Sequence, residues 1–301
     1  MVTLTIPDGK EIYTTHGDGV LSTTNRTELP VLQPCIHEEA DTRIMVHVLD
    51  ASLSGHKRIK IRSNDTDVIV LAISVVNTVL VDELWVAYGS GKHLHNLPAH
   101  TIARSLGQDK SSALPMFHAI TGCDTVSFFG GRGKKTAWEV WKVFPELTPV
   151  LRALAASTED ISEEHMAVIE RFAILLYDRT SSLRNINEAR QELFSKKSRS
   201  LDNIPPTRAA LVNHAKRAVF QGGFVWQQTL LKEPVIPCPS QWGWQREYSV
   251  WVPHWTTLQQ AKDSCYELIH CGCRTVCRGR CKCVKANLAC TGLCNCGGNC
   301  N

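Results

Sequence analysis

The alternation of apolar and polar positions predicts an α/β core in the first part of the chain. Residues 1–35 are interrupted by turn signals, which favour short strands. Residues 38–53 have apolar positions on one helical face. The runs 58–61 and 68–76 are apolar and β-branched, as buried parallel strands are, and 84–88 is a further strand candidate. The pattern therefore predicts a parallel sheet flanked by helices.

The pattern becomes helical from residue 113 onward. Asp160 and Glu163 form an acidic pair at a helix start, and further helices are predicted over 187–197 and 207–220. The next segment is rich in proline and tryptophan and cannot hold a long helix. It contains Pro234, Pro237, Pro239, Trp242, Trp244, Trp251, Pro253 and Trp255. These aromatic side chains either pack on the main domain, which we favour, or form a partner site.

Composition and charge narrow the class of protein. The chain has 301 residues, of which 43% are hydrophobic and 21% charged, as in ordinary globular proteins. No run of about 18 apolar residues is present, so no membrane span is expected. The first ten residues lack the apolar block of a secretory signal. We therefore expect a nuclear or, alternatively, a cytoplasmic protein, in which clustered cysteines stay reduced and bind metal.

Nine of the thirteen cysteines lie in the last 31 residues. They are Cys271, Cys273, Cys277, Cys281, Cys283, Cys290, Cys294, Cys296 and Cys300. Thiolates favour zinc in tetrahedral sites, and nine sulfurs can hold about three zinc ions when some of them bridge two ions. The segment also has five basic residues and no acidic one. The sequence therefore predicts a basic zinc module that depends on the metal for its folding.

This spacing resembles the CXC domain of tesmin-like and dosage-compensation proteins, and all nine cysteine positions match. The resemblance implies binding to the minor groove of DNA. The tesmin-like type has a Tyr where this chain has Arg280, so the chain is closer to the dosage-compensation type, in which an Arg enters the groove. The expected contacts are Arg280 in the groove and Arg278 and Lys282 at phosphates. The alternative is a zinc knot that caps the chain or binds protein.

Acidic residues recur at three distant places. Glu39 and Asp41 open a predicted helix, Asp65 and Asp67 follow a predicted strand, and Asp124 follows a third apolar stretch. Ligands gather at the carboxyl ends of strands, where converging carboxylates need cations such as Mg²⁺ or Mn²⁺. Two such ions can activate water and stabilise a departing phosphate oxygen. Each acid alone is ordinary, because acids are common at helix starts and in turns.

The order of these acids resembles the PIN-like nuclease domain of the flap-endonuclease (XPG) superfamily, over about residues 36–145. Glu39-Ala40-Asp41 is similar to its Glu-Ala-Glu motif, Asp65-Thr66-Asp67 to its Asp-x-Asp motif, and Gly122-Cys123-Asp124 to its Gly-Cys-Asp motif. The resemblance implies that the five acids are catalytic and ligate Mg²⁺ or Mn²⁺: Glu39, Asp41, Asp65, Asp67 and Asp124.

A glycine-rich motif lies just downstream. Residues 131–137, Gly-Arg-Gly-Lys-Lys-Thr-Ala, fit the Gly-x-Gly-x-x-x-Ala of the superfamily's DNA-binding helical hairpin. Glycines let backbone amides approach a phosphate, and the helix start adds its dipole. The expected DNA contacts are therefore Gly131, Gly133, Lys134 and Lys135.

The start of the chain departs from the superfamily. That family's core begins with a strand that carries an Asp, whereas only about 35 residues precede the first acidic motif here. Asp8 and Asp18 are available, but neither ends a convincing apolar strand. The sequence therefore predicts either a fragment or an incomplete acidic site.

The sequence divides into five predicted regions: strands and turns (1–35), a PIN-like core with its hairpin (36–145), a helical annex (146–232), a Pro/Trp-rich tether (233–268) and the CXC domain (269–301). This layout also resembles a group of proteins abundant in invertebrate genomes, whose origin is inferred to lie in mobile elements. The leading hypothesis is a DNA-binding protein with a metal-dependent nuclease core and a zinc-cluster tail. The alternatives are an inactive DNA-binding or chromatin-associated protein with a vestigial nuclease fold, and a protein-binding scaffold.

Overall fold

The computed structural model describes residues 10–23, 29–156, 159–197, 203–256, 271–273, 281–285, 288–290 and 294–296. The protein is α/β, about half helical, with small sheets. Its described strands are β1 (Tyr13–His16), β2 (Gly19–Ser22), β3 (Arg58–Arg62), β4 (Glu83–Tyr88), β5 (His95–Pro98), β6 (Trp244–Glu247) and β7 (Val250–Pro253).

The described helices include nine of ordinary length. They are α1 (Ala40–Leu53), α2 (Thr66–Val75), α3 (Ala99–Leu106), α4 (Gln108–Ile120), α5 (Lys134–Val143), α6 (Leu147–Ala156), α7 (Glu163–Tyr177), α8 (Ile186–Lys197) and α9 (Arg208–Val219). A π-helix (Phe220–Val225) continues directly from α9, and a one-turn helix, α10 (Lys282–Lys285), lies in the cysteine-rich tail. None of the described helices is long and apolar enough to cross a bilayer.

The central sheet is mixed rather than fully parallel. Its order is β3-β4-β5, with β3 parallel to β4 and β5 antiparallel to β4. A parallel pair needs a crossover between its strands, and α2 supplies it. The predicted strands at 58–61 and 84–88 are therefore confirmed and are parallel to each other, whereas a PIN-like parallel sheet is not confirmed.

The strand predicted over 68–76 is wrong, because these residues form α2 and its end. A continuous apolar run carries no period that separates a buried helix from a buried strand. The decision comes from its start, where the Asp65 carboxylate accepts a hydrogen bond from the Asp67 amide at 2.9 Å and caps the helix. Packing of α2 against α1, α4 and β4 then buries it on several sides.

The N-terminal hairpin is tied to α1 by a buried arginine. The strands β1 and β2 pair on either side of Gly17, whose φ of 60° suits the turn, as the sequence predicts. The Arg43 guanidinium donates to the carbonyl oxygens of Gly17 at 2.6 Å and Gly19 at 2.9 Å. These charge-assisted bonds hold the hairpin against the start of α1.

One hydrophobic core runs from α1 to the Pro/Trp-rich segment. Helix α4 packs against α2, α6 and α9, and Trp242 is buried in the same core. Trp244 packs partly against it, whereas Trp251 and Trp255 are exposed. The packing interpretation of the tryptophans is therefore correct for the first two, and the predicted domain limits stay a prediction.

The helical region is fastened by an ion-pair network. The buried Glu170 carboxylate on α7 accepts from the Arg208 guanidinium at 2.7 Å and from the Ile186 amide at 3.0 Å. The start of α7 differs slightly from the prediction, because Ser162 caps it and Asp160 pairs with Lys216 instead. The three helices α7, α8 and α9 are thereby joined at one point.

A buried histidine makes the stability of this core depend on pH. His214 donates from Nε2 to the Ile120 carbonyl at 2.8 Å, so its Nδ1 accepts from the Ser127 hydroxyl at 3.1 Å. Burial lowers the His214 pKa from 6.5 to about 4. The unfolded chain therefore binds a proton first, and stability is lost as the pH falls from about 6.5 to about 4, by on the order of 3 kcal/mol.

We expect His214→Gln to flatten this pH dependence, because a neutral amide does not titrate. Denaturant unfolding at pH 7, 6, 5 and 4 measures the difference between variant and wild type at each pH. A difference that stays constant with pH would contradict the assignment. Exposed His254 provides the control for replacing a histidine by glutamine at the surface.

Candidate functional site

Three aspartates from the starts of two helices converge. Asp41 lies in the first turn of α1, and Asp65 and Asp67 lie at the cap and in the first turn of α2. Carboxylate oxygens of the three residues lie within 4.8 Å of one another. Both helices direct their positive ends at this cluster, which favours negative charge there. The structure thus brings together three of the five predicted acids.

The loop that carries Asp65 and Asp67 is fixed by its own polar residues. The Ser63 hydroxyl accepts from the Asp65 amide at 3.0 Å. The Asn64 side-chain oxygen accepts from the Gly89 amide at 2.9 Å, which joins the loop to the end of β4. These bonds hold both aspartates where β3 ends, at the carboxyl edge of the parallel pair.

Glu39, the fourth predicted acid, is held by the π-helix region. Its two carboxylate oxygens accept separately from Gln221 Nε2 at 2.9 Å and Trp226 Nε1 at 3.1 Å. Gln221 is fixed in turn, because its Oε1 accepts from the Thr125 hydroxyl at 2.8 Å. Wide helical turns of this kind occur often at functional sites. Glu39 is therefore oriented beside the three aspartates and is close enough for Asp67 to raise its pKa.

Asp67 is oriented by a histidine from the core. His118, on α4, donates from Nε2 to Asp67 Oδ1 at 2.9 Å, and both side chains are largely buried. The backbone carbonyl of His118 accepts from the Lys134 ammonium at 2.9 Å. This ammonium also donates to Thr121 and Gly122, so it caps the end of α4 close to the acids. The hydrogen bond from His118 thus fixes one carboxylate oxygen of Asp67 and supports a defined geometry for a metal ligand.

Burial and repulsion by neighbouring carboxylates raise the pKa of Asp41. Burial, followed by repulsion from Asp65, Asp67, Glu39 and Asp124, raises the Asp41 pKa to about 6. Burial is also the main cause that raises the Glu39 pKa. A nearby cation stabilises the charged form of such partly buried, mutually repelling carboxylates. Carboxylate oxygens are also the ligands that Mg²⁺ and Mn²⁺ prefer. The donor set therefore fits a hard divalent ion.

Asp41→Asn is expected to stabilise the metal-free protein at pH 7.5 by about 2–4 °C in Tm, because it removes one of the repelling charges. The folded protein holds a proton on Asp41 more tightly than the unfolded chain does. Stability is therefore lost as the pH rises from about 4 to about 6, and the gain from Asn should shrink at pH 5. Thermal melts with and without Mg²⁺ measure both effects.

Magnesium should raise the Tm of the wild type more than that of the variant. Asp109→Asn, which alters an exposed acid in the first turn of α4, is the control for a general charge effect. If Asp41→Asn melts at or below the wild-type temperature at pH 7.5, the negative charge of Asp41 does not destabilise the metal-free protein, and the interpretation is wrong.

Asp124 and the glycine-rich motif lie on the same side of α4. Asp124 is exposed in the loop after α4 and contributes to the raised pKa of Asp41. Gly133 caps α5, with open space where a Cβ would stand. Lys134 and Lys135 are both exposed, but the Lys134 ammonium already donates to acceptors at the end of α4. Phosphate contact by Gly131, Gly133, Lys134 and Lys135 stays a prediction.

The other candidate acids fall elsewhere. Asp18 lies in the turn of the N-terminal hairpin, and Asp8 lies outside the described residues.

The cysteines of the tail form two overlapping groups of four. One group is Cys271, Cys281, Cys283 and Cys290, and the other is Cys271, Cys290, Cys294 and Cys296. Cys273 packs against this cluster without belonging to either group. Two predicted ligands, Cys277 and Cys300, and the predicted DNA contacts Arg278 and Arg280 lie outside the described residues, as does the side chain of Lys282. The shared Cys271 and Cys290 are placed as bridging ligands would be.

Sulfur spacing in these groups fits tetrahedral zinc. A Zn–S distance of about 2.3 Å places neighbouring sulfurs of a tetrahedron about 3.8 Å apart. Within the groups, the Sγ of Cys271 lies 3.7 Å from those of Cys290 and Cys296. Between the groups, the Sγ of Cys283 lies 3.5 Å from that of Cys294. Burial and neighbouring sulfurs raise the Cys283 pKa to about 12 and also raise that of Cys290. The cluster could therefore hold zinc, with release of protons on binding.

Comparison of the chain with protein-family models, curated proteins and solved structures gives no match. The resemblances to the CXC domain and to the PIN-like nuclease domain accordingly stay predictions.

Sequence reasoning missed the residues that orient the acids. His118, Gln221 and Trp226 come from α4, the π-helix and the residue that follows it. The available signal was weak: His118 and Gln221 are polar side chains within otherwise apolar stretches. Such residues are usually satisfied core polar groups, and only the fold brings these two to the carboxylates.

Proposed function

We propose that this protein is a divalent-metal-dependent phosphodiester hydrolase that acts on DNA, with a zinc-dependent DNA-binding tail. The observation that carries the proposal is the convergence of Asp41, Asp65 and Asp67 within 4.8 Å. Clusters of carboxylates that repel one another are typical of Mg²⁺ sites in enzymes that hydrolyse phosphodiesters. Burial and then repulsion by its neighbours raise the pKa of Asp41, which supports this interpretation, because a purely structural cluster gains nothing from partly buried carboxylates that repel one another.

The residues that would hold the metal differ in how far their carboxylate oxygens are already engaged in hydrogen bonds. Asp41, Asp65 and Asp67 offer oxygens to a common point, whereas Glu39 already accepts a hydrogen bond on each of its oxygens. Asp124 is exposed at the edge of the cluster and could complete the ligand set as DNA arrives. A bound divalent ion supplies a water of lowered pKa and charge stabilisation at the phosphate.

The chain's own residues would position the acids and the phosphate. His118 fixes Oδ1 of Asp67, and Gln221 and Trp226 fix Glu39, so that the carboxylates need little rearrangement. The start of α5 at Gly133 and the charge of Lys135 would hold the DNA backbone beside Asp124. The cysteine-rich tail would raise the local concentration of DNA through its tether.

Cleavage of labelled DNA by the full chain tests the proposal. Flap, hairpin, nicked and plain duplex substrates are incubated with Mg²⁺, Mn²⁺, Ca²⁺ or EDTA. We expect incision with Mg²⁺ or Mn²⁺ and none with EDTA. Absence of incision on every substrate, by protein that melts cooperatively and contains zinc, would reject the hydrolase and leave a DNA-binding role.

A further inference from the structure

A cavity lies apart from the acidic cluster, and none of the five predicted acids lines it. It has a volume of about 570 Å³ and lies between the loop after Asp124, the end of α7, Arg190 on α8, helix α9 and residues 254–256. A volume of this size lies within the range of small-ligand sites. The residues that give it a distinct chemistry are Phe128, Tyr177, Arg190, Arg217 and Trp255.

The chemistry of this cavity is cationic and aromatic. Arg190, which is half-buried, and Arg217, which is buried and donates to the Gly243 carbonyl at 3.1 Å, line it, and none of the described residues that line it is acidic. The Arg217 guanidinium lies 5.8 Å from the centre of the Trp255 ring, which lies at the cavity and is 65% exposed. Positive charge beside exposed ring faces is the combination that binds single-stranded nucleic acid.

Phe128 joins this cavity to the acidic side of the protein. It is 74% exposed, and it lines both the 570 Å³ cavity and a neighbouring one of about 460 Å³. The neighbouring cavity is formed by the loop before Asp124 and by the glycine-rich motif, including Gly133. The turn is fixed at Gly122, where φ is +109° and an added Cβ would lie 2.8 Å from Phe128 Cβ. The backbone of Phe128 therefore packs closely on Gly122, while its ring is exposed at the border between the two cavities.

We propose that the 570 Å³ cavity binds unpaired nucleotides of a DNA strand, with bases stacked on Trp255 and Phe128 and phosphates near the arginines. Bases in a duplex are stacked on each other and cannot reach ring faces inside a cavity, so the ligand is an unpaired segment. The idea that the bound strand continues to the acidic cluster for cleavage rests on the proposed function. The binding itself does not depend on it.

Fluorescence anisotropy of a labelled ten-nucleotide oligo-dT, measured with the full chain in Ca²⁺, tests this inference. Trp255→Ala and Phe128→Ala alter exposed side chains and should fold normally, which a thermal melt verifies. Each variant is expected to bind oligo-dT about tenfold more weakly, because a base loses its stacking partner. The matched control is Trp251→Ala, an exposed tryptophan on β7 outside the cavity, which should bind as the wild type does.

An abasic strand of the same length separates stacking from binding of phosphates by the tail. Trp255→Ala and Phe128→Ala should bind this strand as tightly as the wild type, since it has no bases to stack. Equal oligo-dT affinity of wild type, Trp255→Ala and Phe128→Ala would overturn the inference. An equal loss on the abasic strand would overturn it too.

Cleavage by the wild type, measured beside oligo-dT binding by Trp255→Ala, distinguishes this inference from the proposed hydrolase. Selective loss of oligo-dT binding in Trp255→Ala, together with no cleavage by the wild type, would reject the hydrolase and support the cavity. Cleavage by the wild type, together with unchanged oligo-dT binding by Trp255→Ala, would support the hydrolase and reject the cavity as a binding site.

Discussion

Asp67→Asn is expected to reduce Mg²⁺-dependent DNA cleavage by about a thousandfold or more. Asp67 is central to the cluster, since its carboxylate lies within 4.8 Å of those of Asp41 and Asp65 and accepts from His118 at 2.9 Å. Asparagine keeps the size of the side chain but removes the charge that a divalent ion would need. The loss should appear in kcat, with DNA affinity little changed, because on the proposed function the tail and the basic surfaces would bind the DNA backbone.

Two companion variants make this result specific. Asp65→Asn should cause a loss of similar size, because Asp65 belongs to the same group of three. Asp109→Asn changes an exposed acid that pairs only with surface Arg152 among the described contacts, and it should cleave normally. Wild-type cleavage rates in both Asp65→Asn and Asp67→Asn would reject the assigned site, even if the protein proved to be a nuclease.

Cys283→Ser is expected to remove bound zinc and to unfold the tail. Cys283 is fully buried and belongs to one group of four, and its Sγ lies 3.5 Å from that of Cys294 in the other. So short a segment has almost no apolar core, so its folding would depend on zinc, which contributes about 10 kcal/mol or more per structural ion. We therefore expect loss of at least one zinc ion per chain, measured by elemental analysis, and a decline in duplex affinity of about a hundredfold.

The matched control for this variant is Cys238→Ser. Cys238 is exposed, lies outside the cysteine-rich tail and bonds with Ser240, so its replacement should leave zinc content unchanged. Zinc affinity should also fall on acidification, because zinc must displace protons from thiols such as Cys283, whose pKa is raised to about 12. A full zinc content in Cys283→Ser, or none in the wild type, would exclude the cluster as a zinc site.

The two candidate metal sites were accessible from sequence to different degrees. The cysteine ligands lie close together in the chain, and their chemistry is specific, so spacing alone indicates a thiolate cluster. The acids come from residues about 25 apart, and each is ordinary by itself, so only their joint resemblance to known motifs suggested that they meet. The structure confirms the meeting for Asp41, Asp65 and Asp67.

What the sequence alone determined is local: the helix at α1, the strands β3 and β4, the helices α8 and α9, and the identity of the clustered cysteines. Short-range patterns and side-chain chemistry suffice for these. Only the tertiary structure made 66–75 a helix and brought Gln221 and Trp226 to Glu39, across more than 180 residues of chain. It also decided which tryptophans are buried and which one lines the 570 Å³ cavity. The physical reason is that burial and long-range hydrogen bonds depend on how distant elements pack, which no local pattern encodes.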